Sequence, residues 1–325
     1  MRRMNASLCS SRLLRFLSGG RKTGQIHSVF ENATNIEMED GFIFALLPEK
    51  IPPNPRSVIL PENEWAAYHS VVPRVGEEVL LEEKKLEIPH KEIRIGFGSA
   101  KSWDPLPSLM GSPSSINEIR QKVRVLERFL CHNTQNGRAG EPFRERLYHV
   151  FENIPYTAFS EASSNVFRKR LFHASEELFL RISNNHCEDL SAALDDLIGL
   201  GPGLTPSGDD LLTGVMGAGI YYSLICPAIC GEVKKVNSQV AMRARKRTTV
   251  FGEMMLSDAS REELVQPLGQ LLQRLLFSKK EGNLLAYARR VTAIGDSSGK
   301  DMLAGVILGM EAFTGLGQKL QHAMQ

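Results

Sequence analysis

From Leu211 to Gly231 the chain carries no charged side chain. A stretch of that length has to leave water, either as a buried helix at the centre of a domain or as a membrane span, which needs about 20 apolar residues. Asp209 and Asp210 stand directly before it, Pro227 interrupts it, and glycines recur along it. No second span accompanies it. The pattern therefore predicts a buried helix over 209–225 and no membrane partner.

The rest of the chain agrees with a globular protein that can bury such a helix. Its 325 residues suffice for two domains and a sizeable core. Hydrophobic residues make up 42% and charged residues 23%, with a formal net charge of +2. A nucleic-acid binder would concentrate more positive charge on one face, so none is expected as a partner. The five cysteines, Cys9, Cys131, Cys187, Cys226 and Cys230, are odd in number and show no zinc-like spacing. That usage fits a reduced, cytoplasmic compartment better than a disulfide framework.

Residues 1–19 are basic and free of acid. They read as an N-terminal helix or arm, with Leu8, Leu13, Leu14 and Leu17 on one face, or as a transit peptide; Arg12 and Arg15 break the apolar core a secretory signal requires. Residues 20–98 read as a β-rich domain. Polar and apolar residues alternate through "GQIHSVFENATNIEMEDGFIFALLP", Asp40-Gly41 suits a tight hairpin, and "SVIL", "EVLLEE" and "KEIRIGFGS" supply further strands. Residues 99–114 form a Pro/Ser/Gly-rich connector. Residues 115–325 read as mainly helical. A capping box at Ser115–Glu118 opens one helix, 160–183 and 188–198 give two more, and a second capping box at Ser260–Glu263 starts a helix reaching about 277. The expected class is α+β: a β-rich N-terminal domain followed by a mostly α-helical C-terminal domain with glycine-rich binding loops.

The loop ahead of the uncharged run reads "GLGPGLTPSGDD". Ser207 onward, "SGDDLLTGV", is echoed from Ser298 onward by "SGKDMLAGV", with six of nine positions identical and a glycine-bearing loop before each. Gly201, Gly203 and Gly208 permit backbone angles and close approaches that a side chain blocks, and Pro202 and Pro206 limit loop freedom. Free N–H groups at the start of the following helix suit a phosphate or carboxylate, and Thr205, Ser207 and Ser298 add hydroxyls. Asp209 and Asp210 repel an anion, however. They cap the helix, accept hydrogen bonds from an amide or ammonium group, or hold a magnesium ion together with Asp296 or Asp301. Gly214, Gly217 and Gly219 in one helix, and Gly305 and Gly309 in the other, predict that helices 209–225 and 300–312 pack closely and bring both loops to one end.

Two further patterns carry less chemistry. "MRARKRTT" places Arg243, Arg245, Lys246 and Arg247 before Thr248-Thr249, as a solvated helix end or as an anion grip made by an arginine and two hydroxyls. The eight histidines are scattered without HxH or HExxH spacing, and no Walker loop or GxGxxG after a strand occurs.

"GLGPGLTPSGDDLLTG", the later Thr-Thr and "IGDSSGKDMLAG", together with "HSVFENATN" near the start, resemble the AllH-like family across about residues 20–315. Asp296 and Lys300 depart from the family pattern, which has a histidine and an apolar residue there. The resemblance implies a subunit of an oxamate carbamoyltransferase, which forms oxalurate and phosphate from carbamoyl phosphate and oxamate in allantoin breakdown, with AllF-like and AllG-like subunits as partners. On that reading Asp209, Asp210 and Asp301 are the catalytic candidates. Gly201, Gly203, Thr205, Ser207, Gly208, Thr248, Thr249, Ser297, Ser298 and Gly299 are the candidate binders of a small anionic substrate. A non-catalytic anion-binding or scaffolding subunit, and a magnesium-dependent phosphotransferase or hydrolase, are the alternatives.

Overall fold

The computed structural model describes residues 2–18, 20–71, 73–82, 84–108, 111–131, 142–156, 160–277 and 283–323, with the side chains of 161 and 162 excepted. It divides into two compact units. One comprises Met1–Leu106 with Leu264–Gln266, the other Pro107–Glu263 with Pro267–Gln325. The first is built on a sheet and the second is helical, so the chain is α+β.

In the first unit, ten strands form one sheet: β1 (Arg2–Asn5), β2 (Leu8–Ser10), β3 (Lys22–Phe30), β4 (Ala33–Met38), β5 (Ile43–Pro48), β6 (Ser57–Leu60), β7 (Glu78–Glu82), β8 (Lys85–Ile88), β9 (Ile93–Gly96) and β10 (Lys101–Trp103). Their order is β1-β9-β8-β7-β3-β4-β5-β6-β2-β10. Most neighbours are antiparallel, while β1–β9, β5–β6 and β2–β10 run parallel. The expected Asp40-Gly41 turn joins β4 to β5, with Gly41 at a positive φ of 79° and the Phe42 N–H donated to Asp40 Oδ1. β1 and β2 are consecutive in the chain yet lie towards opposite ends of the strand order. The segment between them spans the gap: the Ala6 N–H bonds the Gly96 carbonyl and the Ser7 N–H bonds the Ile59 carbonyl. The sheet thus curls until continuous chain links its two ends. Alternate residues such as Val79 and Leu81, Leu86 and Ile88, and Ile93 and Ile95 point into one buried core, as a period of two dictates.

The N-terminal segment differs from a single helix. Leu8 lies in β2, and only Ser11–Leu17 forms α1, on which Leu13 and Leu17 are buried. Pairing with β9 and β6 decides the conformation of the first ten residues, which local helical spacing cannot register. A short helix, α2 (Glu62–His69), also interrupts the β-rich stretch and buries Trp65 and Tyr68.

The second unit contains α3 (Ile116–Leu130), α4 (Phe143–Glu152), α5 (Glu161–Ser183), α6 (Ser191–Leu197), α7 (Ser207–Ser223), α8 (Cys230–Ala244), α9 (Val250–Ala259), α10 (Gln266–Phe277), α11 (Leu284–Thr292) and α12 (Ser298–Ala323). The Ser115–Glu118 capping box forms as expected. That at Ser260–Glu263 does not. Ser260 ends α9, its hydroxyl donates to the Ser257 carbonyl, and Glu262 is left-handed at φ 66°. α10 instead begins at Gln266 with Pro267 in its first turn, where the missing N–H costs nothing.

Every residue of α7 from Ser207 to Tyr222 is buried, so the uncharged run is the centre of this unit. No helix among the described residues is long and apolar enough to cross a membrane. α7 and α12 run parallel and very close. A Cβ at Gly214 would fall on the Met302 carbonyl, and one at Gly305 on the Leu211 carbonyl. Further along, a Cβ at Gly309 would stand 2.7 Å from the Ala218 Cβ. Counted from Ser207 and Ser298, Gly214 and Gly305 occupy the same position, as do Leu211 and Met302, so the contact is reciprocal. The sequence echo is a pseudo-two-fold pair of helices.

Candidate functional site

Because α7 and α12 are parallel, their N-terminal ends meet. Each begins with the same local construction. The N–H of Gly208 is donated to the Leu200 carbonyl and that of Gly299 to the Ile294 carbonyl. Gly201, at φ 116°, curls over Ser207, and Gly295, at φ 59°, over Ser298. A Cβ at Gly208 or Gly299 would strike the carbonyl of Leu197 or Val291, which explains why glycine follows serine in both copies.

This construction turns the helix starts inward. The N–H groups of Asp209 and Asp210 go to the Pro206 carbonyl, and those of Lys300 and Asp301 to the Ser297 carbonyl. The expected cradle of free loop N–H groups for an anion is therefore occupied by the protein itself at these positions.

What the two starts bring together is a pair of acids. Asp210 and Asp301 occupy equivalent positions, and both are 0% exposed. The hydroxyl of Thr205 donates to Asp210 Oδ2 at 3.2 Å and lies 3.1 Å from the Ser298 hydroxyl. Since Thr205 has one proton, the order of donation is Ser298 to Thr205 to Asp210. Tyr156 donates to Asp301 Oδ1 at 2.7 Å. The remaining oxygens, Asp210 Oδ1 and Asp301 Oδ2, have no hydrogen-bond partner. Burial is the main cause that raises the Asp210 carboxyl well above the ordinary carboxylate range, and the Asp301 charge adds to it. Burial likewise pushes Asp301 up to about 7, against the opposing pull of Tyr156, Ser207, Ser297 and Lys300. Ser207 and Ser297 lie near enough to favour its charge but do not complete a hydrogen bond to Oδ2. A buried acceptor without a donor is costly, and each of these two oxygens has capacity left to receive an N–H or O–H group.

Asp209 is built differently. Its Oδ1 accepts from the Gly199 N–H at 2.9 Å and its Oδ2 from the Thr248 hydroxyl, so both oxygens are used. Burial raises its pKa, and these two donors oppose the rise. Thr249 caps α9, accepting from the Gly252 N–H at 2.9 Å, and its hydroxyl donates to the Leu204 carbonyl. Thr248 and Thr249 thus stitch the glycine-rich loop to α9. Gly203, at φ 100°, is at the exposed crest of that loop.

The basic cluster is a helix end. Arg243 and Arg247 both bind Asp195, at 2.7 and 2.5 Å. The proposed magnesium ligands do not assemble: Asp209 is spent on Gly199 and Thr248, Asp296 is exposed, and no group of three or more His, Cys, Asp or Glu suited to a metal occurs among the described residues. Tyr156 escaped the sequence reading because it lies 145 residues from Asp301 and belongs to no repeat. No local pattern marks it.

Comparison with known proteins gives two family matches. The model for oxamate carbamoyltransferase subunit AllH matches residues 197–310, which contain both helix starts. The model for the AllH family N-terminal domain matches residues 5–102, the curled sheet. No solved structure matches the chain. The two matches cover most of the sequence, and the protein belongs to the AllH family of oxamate carbamoyltransferase subunits.

Proposed function

We propose that this chain contributes the amide-binding part of an oxamate carbamoyltransferase site, with carbamoyl phosphate and oxamate as substrates and oxalurate and phosphate as products. The observation that carries the reading is the pair of unpartnered, fully buried oxygens, Asp210 Oδ1 and Asp301 Oδ2. In carbamoyl transfer the amide nitrogen of oxamate attacks the carbamoyl carbon, a C–N bond forms, the bond from that carbon to the phosphate oxygen breaks, and the nitrogen loses a proton. Carboxylates aimed at an –NH2 group orient its lone pair and can accept that proton, while repelling phosphate. A carboxyl near neutrality, as at Asp301, suits proton exchange at physiological pH. The phosphate end then requires donors from elsewhere.

Partner subunits of AllF-like and AllG-like type are the source we assign to those donors. Leu204 and Val250, 51% and 54% exposed, flank the Thr249–Leu204 contact and offer apolar surface for such a partner. The setting is cytoplasmic purine and allantoin catabolism. The alternative of a purely binding or scaffolding subunit is separated by the same assay. Turnover should need the reconstituted complex, and Asp210→Asn in that complex should lower kcat/KM for oxamate by about 100-fold. Unchanged turnover and oxamate affinity in the Asn variant would remove Asp210 from the site.

A further inference from the structure

A second recess lies at the other end of α7. The helix is 17 residues long, and its C-terminal residue Ser223 stands about 20 Å along the axis from Asp210 of the acid pair. There α8 and the turn after α9 line an open recess of about 320 Å³. Asn237 lines it, is only 5% exposed, and its Oδ1 has no hydrogen-bond partner.

The other lining groups sort by chemistry. The hydroxyls of Ser223, Ser238 and Ser260 donate to the carbonyls of Ile220, Lys235 and Ser257, which leaves their oxygens as acceptors. Lys234 and Arg245 are exposed lining residues that form no ion pair among the described residues, unlike Arg243 and Arg247 beside them. The wall is thus rich in acceptors, and the rim carries two cations beside the exposed carboxylate of Glu262. A plain anion would satisfy the rim and leave Asn237 orphaned; a neutral amide would do the reverse.

We infer that this recess is a second ligand site, for a small carboxylate that also carries N–H groups, of the amino-acid or ureido-acid class. Its N–H groups bond Asn237 Oδ1 and the serine oxygens, and its carboxylate meets Lys234 and Arg245. The site is independent of the acid pair and of the reaction assigned to it.

Cys230 also lines the recess and is partly exposed, whereas the other four cysteines are buried. Its alkylation by iodoacetamide, followed by mass spectrometry on the full chain, therefore reports occupancy locally. N-carbamoylglycine, which has both groups, should protect Cys230, while propionate and urea, which have one each, should fail at the same millimolar concentration. Asn237→Leu and Arg245→Ala should each weaken protection by about tenfold or more, the loss of one good polar contact. Asp210→Asn should leave it unchanged. Thermal melting checks that Asn237→Leu is folded, and Arg245→Ala carries the test if it is not. Equal effects of all three probes, no protection by N-carbamoylglycine, or protection abolished by Asp210→Asn but indifferent to Arg245→Ala would each overturn the assignment.

Discussion

The starts of α7 and α12 are built from one pattern, yet their third positions have opposite fates. Asp209 is buried and joined to two other segments, through Gly199 and Thr248. Lys300 is half-exposed and its ammonium reaches no further than the Asp296 carbonyl. The shared residues do the same work in both copies: serine at the first turn, glycine against a preceding carbonyl, a buried acid, and a glycine at the helix contact. The comparison separates what a parallel helix pair requires from what a particular loop adds. Symmetry delivers two inward-facing carboxyls, and the longer, proline-bearing loop is locked to α9 on one side only.

The largest test of that division is electrostatic. Asp301 has its pKa raised by burial from the ordinary 3.8 to about 7, so its protonation favours the folded state. That contribution is complete below pH 4, declines as pH rises, and is gone above about 7; the gap corresponds to at most about 4 kcal/mol. Asp301→Asn removes the penalty. Its melting temperature should therefore exceed that of the wild type at pH 8, with the difference closing towards pH 4. A difference independent of pH would mean that Asp301 is not the uncompensated acid.

Next in size is the helix contact itself. Gly214→Ala and Gly305→Ala each drive a methyl group into the opposite backbone, and should each cost about 3 kcal/mol despite the better helix propensity of alanine. Chemical denaturation should give near-equal losses. A loss in one variant alone would break the reciprocity. The third positions should then differ. Thr248→Val leaves Asp209 Oδ2 buried without its donor, at about 2 kcal/mol, whereas Lys300→Ala should stay within about 0.5 kcal/mol. Between these two falls Ser298→Ala, about 1 kcal/mol, because its half-buried hydroxyl closes the chain to Asp210.

Much of this arrangement was legible from residues alone. The uncharged run predicted the buried α7, the small residues predicted its close neighbour, and the repeat of Ser-Gly-x-Asp predicted that two distant loops share one end. Alternation predicted the strands from residue 24 onward. The first ten residues were not legible, because β1 and β2 are strands only by virtue of partners around residues 58 and 95. The capping pattern at Ser260 misled because Pro267 offered a better helix start a few residues on. Within the site, the repeat brought the two loops to one end without choosing between Asp209 and Asp210 or between Asp296 and Asp301, and the sealing of Asp209 by Thr248 and the presence of Tyr156 depend on chain packing that no spacing encodes.

The way the curled sheet closes bears on how the chain is made. Its first strand emerges from the ribosome long before Ile93–Gly96 and Lys101–Trp103, the segments it and its neighbour must meet. Until then two strand-forming segments wait unmatched, a state prone to aggregation and slow to resolve because the contacts are so distant in sequence. A fusion tag at the amino end, or a pause in translation before residue 103, should therefore disturb the yield of folded protein more than the same change at the carboxyl end.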